Sequence, residues 1–583
     1  MNGAIAGAGR IKTMKGASRR SRAPSAAPSI AAPRWLPALL AGLAAFLLLG
    51  WFSPEIYDSD FWWHLKTGQY IVENHKLPVP DPFAFTTASA PEAYPGEFVT
   101  RRFNLTHEWL AQVLFYGIWR LAGFGGVVLL RAALLTAFCG LAGLMAYRRG
   151  SGFYLSFAAA LAAAAVAHEF AYDRPYLITF VLLGVAALIL ESGRRLWLLA
   201  PLFAIWANCH GGFFLGWVLV GAYSAEALRA KQWRLPLAGA AAILASGINP
   251  NGFRVLQVLL YYRQSFLTSK LLEWSAPRLW PPGAFTLLLV AAAGVLLWRR
   301  RQVRLSDWLR FAAFGAAALS AQRNAFLMGF LAPVLIVSYL PRKLALPTLA
   351  QFAAAPLLLV ALAIGIARGG MFQLRAAEWK LPSGAADFLL THRITQPIFN
   401  TYEYGGYLIW RLWPQERVFI DGRALSETLF RDYGRILYNV EEDGGPGAQA
   451  VLDRYGIQVL VMNTFEYSQG LVYMLAPALA DPSQSQWKLV YSDPTAAIFM
   501  RRPPPGVEAI DSLRVFDHME AECDLHIRHE PQYPRCARSL GQVFSRVGDF
   551  DRARRWLGVY LAQPHEPDPE AEEAYQRMAL PVR

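Results

Sequence analysis

Eleven apolar stretches, joined by connections whose basic residues recur at every second turn of the chain, constrain this sequence more than any other feature. They fall at about residues 35–52, 123–147, 152–170, 175–191, 196–208, 210–228, 235–247, 284–299, 306–321, 324–340 and 348–367. A membrane span usually takes roughly 20 residues, and several stretches are shorter, so the reading is of about eleven transmembrane helices. Basic clusters stand at Arg148-Arg149, Arg194-Arg195, Arg229 to Arg234, Arg299 to Arg304 and Arg342-Lys343, each after an even-numbered stretch. Lys and Arg accumulate in cytoplasmic loops. All these connections therefore fit the cytoplasmic side together with the N-terminus. The segment 53–122, the loop 248–283 and everything after residue 368 then lie outside.

The composition agrees. Of 583 residues, 55% are hydrophobic and 19 are Trp, which is too apolar for a soluble chain of this size. The net charge is +14, and half of it comes from Arg10, Lys12, Lys15, Arg19, Arg20, Arg22 and Arg34, with no acid among the first 34 residues. A basic tail before an apolar helix is a cytoplasmic topology signal, so no nucleic-acid partner is inferred. No small-residue cleavage site follows the first stretch, which reads as a retained helix. The expected division is a basic cytoplasmic tail at 1–34, a membrane domain at 35–368 with its first outside loop at 53–122, an outside α/β domain at 369–503 and a helical tail at 504–583.

On this threading the unusual polar residues gather on the outward face and nowhere else. The first outside loop begins Tyr57-Asp58-Ser59-Asp60-Phe61-Trp62-Trp63-His64 and later reads Asp81-Pro82-Phe83 and His107-Glu108-Trp109-Leu110. Residues 61–75 read as a short helix at the headgroup level, where amphipathic aromatics settle. Ser59 or Asp60 suffices to cap it, but a cap needs one carboxylate, not two. Asp58 and Asp60 therefore fit a general base, with or without a divalent cation (Mg or Mn) that both would bind. Glu108 opens another helix, where an acid favours the dipole, which leaves His107 unexplained. His168-Glu169, Asp173-Arg174-Pro175, Asn208, His210-Gly211-Gly212, Asn249-Pro250-Asn251-Gly252, Glu273-Trp274 and Gln322-Arg323-Asn324 fall at the remaining outward ends. Each alone is explained by a cap or turn; together they form a set of ionisable residues at membrane depth, which are costly and usually paired or functional. His107 and Glu108 join Asp58 and Asp60 as catalytic candidates. His64, Arg174, His210, Glu273 and Arg323 are the candidates for contacting substrate and phosphate.

Other motifs carry less. Cys139 and Cys209 read as packing residues, whereas Cys523 and Cys536 both lie outside and are able to pair. Gly123-Phe124-Gly125-Gly126 reads as a packing site, and Asn104-Leu105-Thr106 is a three-residue glycosylation match. After residue 368 the pattern predicts strands at 397–400, 417–423 and 458–462, a strand pair at 487–491 and 496–501, and helices at 404–413 and 447–455. Residues 535–583 read as helical, with Gly548-Asp549-Phe550 at a turn like the middle of one tetratricopeptide unit.

Taken in order, an apolar first helix, the acidic pair Asp58 and Asp60, an interfacial helix, many further helices and an outside C-terminal domain resemble the C-type glycosyltransferase superfamily (GT-C). Asp58-Ser-Asp-Phe-Trp-Trp-His64, Asp81-Pro82-Phe83, His107-Glu-Trp-Leu110, Arg174-Pro175, His210-Gly-Gly212 and Asp421-Gly-Arg423 resemble a bacterial branch of polytopic membrane proteins near it, over about residues 35–503. The resemblance implies a bacterial inner-membrane enzyme. It would transfer a sugar from a polyprenyl-phosphate donor to a cell-envelope glycan, lipid or protein at the extracytoplasmic face, with Asp58 or Asp60 as base or metal ligand. The chain lacks the lysine-proline-proline element of some lipid-modifying members and the tryptophan-tryptophan-aspartate motif of oligosaccharyltransferases, which leaves the acceptor open. Two readings compete: a transporter or flippase for a lipid-linked or small polar substrate, and a non-catalytic membrane scaffold. A transporter would place its polar groups near the midplane on interrupted, repeated helices.

Overall fold

A computed structural model describes residues 33–267, 271–340, 348–439, 447–530 and 535–578. The basic residues before Arg34, and Arg342-Lys343, lie outside them.

Each of the eleven apolar stretches contains a helix: α1 (Leu36–Trp51), the second half of α4 (Trp109–Arg148), α5 (Phe153–Ala167), α6 (Tyr176–Ser192), α7 (Leu199–Cys209), α8 (Phe214–Arg229), α9 (Arg234–Ala245), α11 (Ala284–Trp298), α12 (Leu305–Ser320), α13 (Ala325–Tyr339) and α14 (Thr348–Ala367). Among the described residues four continuous helical segments, Glu97–Arg148, Phe153–Phe170, Gly211–Arg229 and Ala350–Ala367, are long and apolar enough to cross a membrane. Their interior is held by interlocked aromatics: the Phe180 and Phe326 rings stack at 3.9 Å, and Phe138 packs against Phe180 at 5.1 Å. Three further helices, α2 (Asp60–Asn74), α3 (Glu97–Thr106) and α10 (Val255–Tyr261), lie in the connecting segments. The first half of α4 meets the second at Gly123, whose φ of 61° and ψ of −158° are non-helical. Only glycine takes this conformation cheaply, so the boundary drawn at residue 123 is a real break.

The α2 helix departs from expectation. Its side chains face protein and not headgroups: Phe61, Trp62, Trp63, His64, Leu65, Lys66, Thr67, Gly68 and Tyr70 are all buried. It is clamped between α4, approached where Gly68 passes the Gln112 carbonyl, and α16 (Tyr402–Leu412), whose Gly406 passes the Ser59 carbonyl. Aromatics suited to a lipid interface suit a protein interface equally well, which is why the pattern misled. Its first turn is capped by neither Ser59 nor Asp60; the Asp60 N–H donates to Asp58 Oδ1 at 3.1 Å.

The polar residues are not confined to one end. At the opposite end of the bundle Arg149 pairs with Asp307 (2.9 Å) and Glu191 (2.9 Å), Arg304 with Glu191 (2.6 Å) and Glu226 (3.0 Å), and Arg310 with Asp307. Three arginines facing three carboxylates make a charge-balanced clasp between helix ends, the form in which ionisable groups are tolerated there. Arg131, inside an apolar stretch, is a further buried charge. It pairs with Asp173 at 2.5 Å and donates to the Phe52 and Pro54 carbonyls, tying α1, α4 and the entry to α6 together.

Beyond residue 376 lies a four-stranded sheet, β1 (Ile398–Asn400), β2 (Val459–Met462), β5 (Lys488–Ser492) and β6 (Ala497–Met500), in the order β1-β2-β6-β5. β1 and β2 are parallel, while β2/β6 and β5/β6 are antiparallel. The strand expected at 417–423 is not formed. That segment makes one bridge, Val418 to Ala84, and turns away because Arg423 is held by Asp81 at 2.9 Å and Asp421 at 2.6 Å. Sequence reading also missed the hairpin β3 (Phe465–Glu466) with β4 (Leu471–Val472) and the helix Glu427–Tyr438, capped by the Ser426 hydroxyl. The tail helices Arg535–Val547 and Phe550–Leu561 flank Gly548, at φ 85°. Their Leu540, Phe544 and Trp556 share one core with Phe465, Leu475 and Trp487. Cys523 and Cys536 form a disulfide. Asn104 is embedded in α3, its Oδ1 accepting from the Tyr262 hydroxyl at 2.8 Å, so the glycosylation match is a packing residue.

Candidate active site

All nine residues singled out from sequence meet at one end of the helical bundle, under the α/β unit, in two adjoining groups. The first is built on Arg174, which precedes α6. Its guanidinium grips Asp58 through two bonds (2.5 and 2.8 Å), reaches Asp60 Oδ2 at 3.0 Å and faces Glu273 Oε2 at 3.7 Å. Glu273 also accepts from Arg323 Nη1 at 3.0 Å. The second group surrounds Glu108, between α3 and α4. Its carboxylate faces His64 Nδ1 at 3.6 Å, His107 Nε2 at 3.4 Å and His210 Nε2 at 3.7 Å. Apart from His64, which lies one turn inside α2, the residues stand at helix ends or in the connections, where the chain turns back and brings polar groups from different helices together.

Hydrogen bonds fix the histidines. His210 Nδ1 accepts from the Gly212 N–H (3.0 Å) and lies 2.9 Å from the Thr179 hydroxyl, which itself accepts from the Trp206 indole at 2.8 Å. The proton therefore sits on His210 Nε2, aimed at Glu108. His107 is set the other way, its Nδ1–H donating to the Phe103 carbonyl at 2.9 Å. Burial holds the His64 imidazole down at about 4 against the pull of Glu108, so the ring is neutral near pH 7 and takes the Gln112 amide at 3.3 Å.

The two aspartates are two residues apart and differ in kind. Burial alone would raise Asp58, but the Arg174 guanidinium, the bonds it makes and the Asp60 N–H hold its carboxyl below the usual carboxylate range. Asp60 goes the other way: burial and the neighbouring Asp58 and Glu273 charges push it up to about 6, against Arg174 and the Trp63 indole, which donates to Asp60 Oδ1 at 3.1 Å. Two carboxylates with separated affinities for a proton are the pattern of a locked anion beside a working base. A divalent cation does not fit between them as they stand, because Arg174 already occupies both oxygens of Asp58 and one of Asp60. Among the described residues no group of three or more His, Cys, Asp or Glu side chains is arranged to hold a metal ion.

Sequence reading missed the part played by the α/β unit. Gly422 lies directly against Asp60, so that a Cβ there would overlap Asp60 Oδ1. The Tyr402 hydroxyl holds the Gly422 carbonyl at 2.9 Å. The Asp421-Gly-Arg423 motif was visible in the sequence; its contact with a residue more than 300 positions away was not. Gly422→Ala is expected to displace the Asp60 carboxylate by an ångström or more, and, if this site is catalytic, a displacement of that size costs about 100-fold in kcat with KM largely kept; steady-state kinetics of the two proteins would check it.

Among known proteins, no family model and no curated protein matches this chain. Two solved structures of an Archaeoglobus fulgidus oligosaccharyltransferase align with it, one in the apo form and one tethered to an acceptor peptide containing the NVT sequon. Each alignment covers 82% of this chain and 76% of the other, with a TM-score of 0.47, at 10% identity for the apo form and 11% for the tethered form.

Proposed function

We propose that this chain is a GT-C-type membrane glycosyltransferase that moves a sugar from a polyprenyl-phosphate carrier to an acceptor hydroxyl at the extracytoplasmic face of a bacterial inner membrane. The observation that carries the reading is the pair Asp58 and Asp60 at the end of a helical bundle: one carboxylate gripped through both oxygens by Arg174, its neighbour touching the same guanidinium through one oxygen only, at 3.0 Å. In the proposed step an Asp60 oxygen takes the proton of the acceptor hydroxyl as the hydroxyl oxygen attacks the anomeric carbon. The carbon–oxygen bond to phosphate breaks, and the carrier leaves with the bonding electrons as polyprenyl phosphate. Arg174 and Arg323 are the guanidinium groups near enough to take up the charge that develops on the phosphate. Asp58 positions Arg174. Glu108, ringed by His64, His107 and His210, is assigned to hold the acceptor or receive its proton in turn.

The transporter reading is less favoured, because Glu108, Arg174, His210 and Arg323 lie at helix ends and not within interrupted helices. The test is native mass spectrometry of the detergent-purified protein. A co-purifying polyprenyl-phosphate lipid, retained by wild type and lost in Arg174→Ala, is the expected result, and its sugar would name the donor. No bound carrier in any sample, even when one is supplied, would refute the reading.

A further inference from the structure

Glu273 is out of place in a site meant to receive an anion. It sits in the short turn Leu272–Trp274, with one carboxylate oxygen 3.0 Å from Arg323 Nη1 and the other 3.7 Å from Arg174 Nη1. A carboxylate bridging two guanidinium groups has the charge and spacing of a phosphate held by the same pair. We infer that Glu273 is a resident substitute for the donor's phosphate, and that the site between Arg174 and Arg323 takes a phosphate monoester or diester once Glu273 swings away. The inference rests on the transferase reading for the identity of that phosphate, but not for the existence of the anion site.

Three features separate Glu273 from the other acids around Arg174. First, its side chain is 41% exposed, whereas that of Asp58 is 4% exposed and that of Asp60 12%. Second, Asp58 binds Arg174 through two short bonds, whereas Glu273 meets it at 3.7 Å and holds Arg323 through a single bond. An exposed single-bond pair contributes little to stability, and a buried bidentate pair is costly to break. An arriving phosphate therefore displaces Glu273 and leaves Asp58 in place. Third, the turn is seated on its neighbours independently of the carboxylate. The Gln322 N–H donates to the Ser275 carbonyl at 2.9 Å, the Trp274 ring packs on Tyr262 at 5.2 Å, and the Arg323 guanidinium lies over Trp274 at 4.5 Å. The turn can stay docked while the side chain leaves.

Arg174 and Arg323 are partly exposed even beside Glu273, at 27% and 31%, so an anion can reach them. Glu273 makes entry competitive: a ligand must offer more to the two arginines than one carboxylate does. A phosphate does, with more acceptor oxygens and, as a monoester, more charge, whereas a polyprenol without phosphate does not.

The test compares wild type, Glu273→Gln and Arg323→Ala in detergent, with inorganic pyrophosphate and a polyprenyl monophosphate as probes and the matching polyprenol as control. Glutamine keeps the size and the turn but removes the competing charge. Glu273→Gln is expected to bind both phosphates about fivefold more tightly, the equivalent of losing one exposed ion pair. It should leave polyprenol binding unchanged, and Arg323→Ala should weaken both phosphates. In a transfer assay the same variant should lower the donor KM and not raise kcat. Tighter pyrophosphate binding in Glu273→Gln with no polyprenyl phosphate bound by any protein would uphold the anion site and sink the donor reading. Equal phosphate affinity in wild type and Glu273→Gln would overturn the inference, whatever the donor.

Discussion

Replacing Asp60 by Asn is expected to lower the proposed sugar transfer about 10²–10⁴-fold, the range contributed by a positioned general base, while the protein still folds. Asparagine has the same shape and its Oδ1 can still accept from the Trp63 indole, but its Nδ2 gives up the 3.0 Å pairing with Arg174, so the loss is read together with the pH dependence, which a change at Arg174 alone would not produce. The pH dependence adds a second readout. With Asp60 raised to about 6, the unprotonated base is lost as pH falls through that value, so wild-type transfer rises with pH through about 6 and then levels. Asp58→Asn should move this limb to lower pH. It removes a neighbouring negative charge that raises Asp60 and frees the Arg174 guanidinium to stabilise the Asp60 carboxylate. A limb that stays at the same pH in Asp58→Asn, or survives in Asp60→Asn, would assign the base elsewhere.

Arg423→Ala has the largest expected effect on stability. Arg423 lies between Asp81 and Asp421, with side-chain exposures of 3%, 1% and 4%, and bonds both carboxylates in fork fashion. Removing it leaves two buried carboxylates close together with no cation, at a cost of about 3–5 kcal/mol. Lysine does not rescue the position, because one ammonium cannot present paired donors to two carboxylates. Thermal unfolding of the purified protein would measure the loss. Activity should fall with it, since Arg423 fixes the turn whose Gly422 backs Asp60. A variant as stable as wild type would mean that the clasp between the first loop and the α/β unit is not what holds them.

The helices were legible because each of the eleven apolar runs folds as a helix, four of them within segments long and apolar enough to cross a membrane among the described residues. The nine site residues were legible for a related reason: polar groups in such a chain stand out against apolar flanks, and alternating loop charge sorts them to one end. What could not be read came from contacts remote in sequence. The aromatic face of α2 has one signature for lipid and for protein, and Gly406, against which Ser59 and Trp63 pack, lies over 330 residues on. Arg131 was hidden inside an apolar stretch, and its partner Asp173 was filed with loop residues. Arg149 and Arg304 were read as solvent-facing topology signals, although Glu191, Glu226 and Asp307 wait for them on other helices. Residues 418–420 form a short apolar run like a buried strand, but ion pairs a few positions later decide the path of the chain.

The most direct test of the account is transfer in proteoliposomes, with purified wild type and Asp60→Asn supplied with a polyprenyl-phosphate-linked radiolabelled sugar. The account predicts that wild type releases polyprenyl phosphate in step with acceptor labelling, with a rate that rises through about pH 6, and that Asp60→Asn releases almost none. Equal release by both proteins, or none by wild type while the labelled lipid still binds, would contradict it.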